Sequence, residues 1–192
     1  FELAPGDVVH AGVVISNSET GQGSLSVSPL VFRLLCRNGL IAADQAMRKT
    51  HIGRMTETSS DEVTFFKEDT LAADDAAFFL KVRDTVQAAV SQATFSLIAE
   101  RMRKTMGIKL VGDPVKSVER LAVKYLLQEH EKVGVLRALI KDGDLTGFGL
   151  VNAVTGYAQE LDLYDRSTEL EAIGGRMLEQ GAKEWSELAE AA

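Results

Sequence analysis

Cysteine is almost absent from this chain: Cys36 stands alone among 192 residues. No intrachain disulfide can form and no cysteine-based zinc site fits, so a reducing, cytoplasmic compartment is expected. Only three prolines interrupt the chain, which leaves room for long helices. The three histidines, His10, His51 and His130, show no ligand spacing, and no metal or other cofactor is expected. No apolar run approaches 18 residues, and no basic segment followed by an apolar one opens the chain. Membrane spanning and secretion are therefore both unsupported. The chain starts at Phe1 and not at Met, which fits a piece of a longer protein.

What is present is ordinary globular composition, 45% hydrophobic and 26% charged, enough to bury a core. The net charge of −7 is unevenly placed. Residues 1–60 are neutral, so the whole excess of acid lies in 61–192. Within 29–56, Arg33, Arg37, Arg48, Lys49 and Arg54 face only Asp44, a local net of +4. Local charge governs the field at a site more than the total does.

Val8 to Ile15 is β-branched and reads as a strand. Asn17 to Gly23 follows as a turn, and Leu25 and Val27 then alternate with serines as a second strand. A β-hairpin with a glycine-bearing loop is expected. Ser28-Pro29 reads as a cap with proline at the first helical position, opening a helix to about Arg37 that Asn38-Gly39 closes. Leu40-Ile41 and Met47 to Arg54 could return as short strands; Thr56 to Asp61 reads as a polar loop. From Thr70 the apolar spacing of three and four continues to Met106 with no Gly or Pro between 71 and 106. One helix of that length would reach about 54 Å, against a radius of gyration of about 16 Å for a compact chain of this size. Such a helix would protrude or pack on a second subunit. Asp113-Pro114 opens the next helix, Glu129 to Lys141 another, and Asp144 or Thr146 caps a third. A final helix runs from about Ser167 to Glu190, with Gly174-Gly175 as a kink. The fold class expected is α+β and mainly helical. An N-terminal hairpin or small sheet (1–69) leads into a long helix and a C-terminal helical bundle (70–192), read as one continuous domain.

Three stretches carry a resemblance: Ile15-Ser-Asn-Ser-Glu-Thr-Gly-Gln-Gly-Ser-Leu-Ser-Val27, Phe32-Arg-Leu-Leu-Cys-Arg-Asn-Gly39, and Gly143-Asp-Leu-Thr-Gly-Phe-Gly-Leu-Val-Asn-Ala-Val-Thr155. On these the chain resembles the phage/plasmid-like proteins grouped as a bacterial domain of unknown function. The resemblance implies a mobile-element context in a bacterial host and further sequence before Phe1. It brings no catalytic residues to carry over.

Two candidate sites follow from the residues. The loop of Asn17, Ser18, Glu19, Gly21 and Gly23 could let a ligand approach backbone N–H groups. It is not a phosphate-binding Walker loop, because no Gly-Lys-Ser/Thr follows. Glu19 also opposes an anion there, and a self-satisfied turn is the competing reading. Arg33 and Arg37, four apart on the expected helix, with Arg48, Lys49 and Arg54, could neutralise phosphates. A solvated face is the competing reading, and a pI near 5.1 favours it. Cys36, among Leu34 and Leu35, reads as a small buried hydrophobe and not as a nucleophile. Asn152 and Thr155, beside Gly147, Gly149 and Gly156, read as close helix packing, the alternative being a pocket between helices.

The leading expectation is a non-catalytic, oligomeric, nucleic-acid-associated protein, binding or annealing single strands by phosphate neutralisation with little base readout. The alternatives are an enzyme acting on a small or nucleotide substrate at the Asn17–Gly23 loop and a structural or host-interaction protein. The sequence identifies no catalytic residue.

Overall fold

A computed structural model describes residues 2–16, 24–33, 38–41, 47–50, 56–57, 63–64 and 67–190. Strands β1 (Glu2–Ala4), β2 (Asp7–Ser16), β3 (Ser24–Arg33), β4 (Asn38–Ile41) and β5 (Met47–Thr50) form one antiparallel sheet. Strands β6 (Thr56–Glu57) and β7 (Val63–Thr64) pair separately, so the expected polar loop at Thr56 begins with a short strand. The expected hairpin is β2 and β3, in register from Val9↔Arg33 to Ser16↔Ser26. Val9, Val27 and Val31 are buried, as the period-2 alternation requires.

The helix expected from Ser28 to Arg37 is corrected by β3, which runs unbroken through Pro29. The reason lies across the sheet. The other edge of β3 is shared: β5 pairs with residues 24–27 and β4 with residues 30–33. Pro29 falls in the gap between those two partners, a place in a sheet where a residue without an N–H is tolerated. Asn38-Gly39 accordingly opens β4 and closes no helix.

Seven helices follow among the described residues: α1 (Glu68–Ala89), α2 (Gln92–Met106), α3 (Pro114–Tyr125), α4 (Glu129–Asp142), α5 (Gly147–Ala158), α6 (Tyr164–Leu178) and α7 (Ala182–Ala189). The single long helix expected from Thr70 is thus two. Ser91 divides them, its side chain accepting a hydrogen bond from Thr94 N–H and starting α2. The final helix is also two. Gly181 starts α7, with its N–H donating to Glu184 Oε2 at 2.9 Å, while Gly174 and Gly175 lie buried inside α6.

Asp113 caps α3 through Val115 N–H and Gly143 ends α4 in the left-handed region, where the sequence placed them; of the two caps expected for the next helix, Asp144 or Thr146, it is Thr146 that caps α5 through Gly149 N–H. Helix α5 is apolar around nearly its whole circumference and is buried from Gly147 to Ala158 except at Gly156. A helix of that kind belongs at the centre. One core cluster joins its Phe148, Leu150 and Val154 with Val9, Val31 and Leu40 of the sheet, and strand β4 packs on α5 and α6. Helix α7 is held by its last carbonyls. Ser117 Oγ donates to Leu188 O at 2.7 Å, Arg120 donates to Glu187 O, and the N–H groups of Val111 and Gly112 donate to Ala189 O.

Leu126 ends α3 at φ 55°, ψ 44°, although its side chain is 82% exposed. The left-handed region costs an L-residue about 1–2 kcal/mol, and here little buried area offsets it. Leu126→Gly is expected to stabilise the protein by about 1 kcal/mol in urea unfolding. A loss of stability would show that Leu126 makes a contact its exposure hides.

Candidate functional site

Strand β3 is the axis of the candidate site, because it carries one sequence-predicted cation and pairs with the strand that carries two more. Arg33 ends β3 opposite Asn38 of β4 and Val9 of β2. Arg48 stands opposite Ser26 and Lys49 opposite Leu25, near the start of β3. Position 48 is therefore displaced from position 33 by about 23 Å along the strand. Positions 33 and 49 fall in the alternation row of Val27 and Val31, and position 48 in the other row. These basic positions are spread along and across the sheet, and Arg33 stands on a strand and not on the helix expected for it. Arg37 and Arg54 lie outside the described residues, as do Asn17, Ser18, Glu19, Gly21 and Gly23 of the loop, and Cys36 and His51.

Asn152 and Thr155 are buried in α5. Thr155 Oγ1 donates to Val151 O at 3.2 Å, and its methyl fills the place where a Cβ on Gly174 would sit. This is the close packing expected. Of the small residues named with it, Gly147 and Gly149 face the neighbouring backbone of Thr105 and Asp144, whereas Gly156 has open space beside it.

Two polar constellations were not anticipated. Glu131, 1% exposed, receives Arg166 in a fork: Nε donates to Oε1 and Nη2 to Oε2, both at 2.6 Å. Gln128 N–H also donates to Glu131 Oε2, at 2.7 Å. The Arg166 hydrogen bonds hold the Glu131 carboxyl below the usual carboxylate range against the opposing effect of burial. Tyr157, packed against Gly134, is pushed up by burial and by the Glu131 charge. The Gln-x-x-Glu spacing of a capping box was a legible signal for Glu131 at the start of α4; nothing in the sequence marked Arg166 as its partner.

Glu171 of α6 lies where the helices meet the sheet. Gln159 Nε2 donates to its Oε1 at 2.6 Å, and that oxygen would come within 2.9 Å of a Cβ on Gly39 of β4. Burial pushes the Glu171 carboxyl up. Its carboxylate thus reaches strand β4 one residue from the Arg33–Asn38 pair. Two open grooves flank α3, one lined by Arg120, Lys124 and Leu188 and the other by Ala122, Leu126 and Lys132. Neither includes a residue of the sequence-predicted sites. Among the described residues, no group of three or more His, Cys, Asp or Glu side chains could hold a metal ion, and no helix is long and apolar enough to cross a membrane.

A family model described as "Domain of unknown function (DUF932)" matches residues 2–173. The chain belongs to this family. The DUF932 match takes in the whole sheet and the helices as far as Ile173 in α6, leaving α7 beyond it. No curated protein and no solved structure matches the chain.

Proposed function

We propose that this DUF932 protein is a phage- or plasmid-encoded, non-catalytic protein that binds nucleic acid as a homo-oligomer in the bacterial cytoplasm. The reading is supported by one observation: a basic segment of this acidic chain, residues 29–56 at a net of +4, contributes the end of β3 and all of β4 and β5 to one sheet. Basic positions in both rows of the sheet suit a general attraction to a phosphate backbone better than recognition of a single phosphate. Phosphate interactions of this kind position the nucleic acid without reading its bases.

The test is binding of single-stranded and duplex nucleic acid across a salt series. Affinity is expected to fall steeply with salt, because each neutralised phosphate releases counterions. Replacing Arg33 and Arg48 with Ala is expected to flatten the log–log slope by about 0.7 for each phosphate of a single strand that is no longer neutralised. The weakening should be similar for every sequence tested. Absence of binding to either form at low salt overturns the proposal.

A further inference from the structure

Helix α1 packs on β2 and β3 through the side that bears half-buried Leu71, Phe78, Val82 and Val86. Its other side is unusually apolar for a solvent face. Phe79 is 69% exposed and Leu80 51%, and Ala72 and Ala76 beside them are exposed too. Contiguous exposed apolar surface on a helix marks an interaction site.

The arrangement of that face identifies what covers it. Ala72, Ala76, Phe79, Leu80, Arg83 and Gln87 lie within an arc of about 100° on an α-helix. They are also symmetric about the midpoint between Phe79 and Leu80, which is close to the middle of α1. Turned end for end on a second α1, the stripe sets Phe79 against Leu80, small Ala76 against long Arg83, and small Ala72 against Gln87. Large residues then meet small ones in the outer levels, and the pairing is reciprocal, as an isologous two-fold interface requires.

Charge selects the same orientation. Residues 68–78 hold Glu68, Asp69, Asp74 and Asp75 and no base, whereas residues 79–89 hold Lys81 and Arg83 against Asp84. An antiparallel pair lays the acidic half of each helix over the basic half of the other and opposes the two helix dipoles. A parallel pair would bring Glu68, Asp69 and Asp75, which lie on or beside the stripe, against their own copies, at a cost in like-charge repulsion. We infer that the outer face of α1 is a self-association surface on which two copies of this chain pair antiparallel about the Phe79/Leu80 midpoint. This deepens the oligomeric part of the function proposed above and is independent of phosphate binding.

Sedimentation and cross-linking test it. The wild-type chain is expected to sediment as a dimer at micromolar concentration, and the Phe79→Glu/Leu80→Glu variant as a monomer with unchanged helical circular dichroism. In a Cys36→Ser background, Ala72→Cys mixed with Gln87→Cys should form a disulfide-linked dimer. Gln87→Cys alone should not, because its two copies lie about 22 Å apart along the antiparallel pair. A monomeric wild type, a dimer that survives the double Glu variant, or a Gln87→Cys self-cross-link overturns the inference. Nucleic-acid binding is not a readout here, so failure of the dimer and failure of the binding proposal are told apart.

Discussion

Replacing Arg166 with Ala is expected to cost about 3 kcal/mol of stability, lowering Tm by about 10 °C. Glu131 is buried on α4 and reaches Arg166 on α6 across 35 residues of chain. Both carboxylate oxygens accept from the guanidinium, and Oε2 accepts from Gln128 N–H as well. Removing the guanidinium strands a carboxylate with only one backbone donor, and an uncompensated buried charge is what makes breaking such a pair expensive. Arg166→Lys should recover part of the stability, since one ammonium cannot span both oxygens in the same fork. Arg166 also donates to Glu169 Oε2, but Glu169 is largely exposed and adds little.

The same pair sets a pH dependence of determinate sign. Glu131 is held below its unfolded value, so its contribution is fully present above that value, near pH 4.3. The contribution is lost as pH falls through the lower folded value. In Arg166→Ala the main cause of the depression is gone while burial remains, so the Glu131 carboxyl rises and takes a proton more readily. The stability gap between wild type and variant should therefore be widest near neutrality and narrow as pH falls toward 4. Melting curves from pH 7 to pH 4 check it. A gap that is constant or widens on acidification would show that the destabilisation comes from packing and not from the stranded charge.

Where a signal is local, the sequence carried the fold. The β2–β3 hairpin follows from alternation, and the starts of α3 and α5 follow from Asp113-Pro114 and Thr146. Where the deciding interaction is distant, it did not. Ser28-Pro29 satisfies the rules for a helix start equally well, and it is strand because it pairs with Val14 and Val13 of β2 while β4 and β5 leave a gap on the other edge. Ser91 is a sound cap, but apolar spacing continues past it on both sides and masks the break between α1 and α2. The candidate site shows the same division. Its charge was legible; its geometry was not, because a strand places Arg33 differently from the expected helix, and no local signal reports the register that sets Arg48 opposite Ser26 and Lys49 opposite Leu25. The Glu131–Arg166 pair needs α4 and α6 brought together, which no periodicity reports.

Gly174→Ala is expected to destabilise the protein by about 2 kcal/mol through overpacking, although alanine is favoured over glycine inside a helix by about 1 kcal/mol. The obstacle is one methyl group. A Cβ on Gly174 of α6 would overlap Thr155 Cγ2 of α5, while the next atoms, Leu40 Cδ1 and Val151 Cγ1, stand at an ordinary 3.7 Å. Thr155→Ser removes that methyl and retains the hydroxyl that donates to Val151 O. Alone it should cost about 1 kcal/mol for the buried carbon it removes. Combined with Gly174→Ala it vacates the space the new Cβ needs, so the double variant should be more stable than Gly174→Ala alone. The coupling from the full cycle, measured by urea unfolding, should be favourable by at least about 1 kcal/mol. Strictly additive effects would mean that α5 and α6 shift apart to admit the alanine, and that the packing of Thr155 on Gly174 does not set their separation.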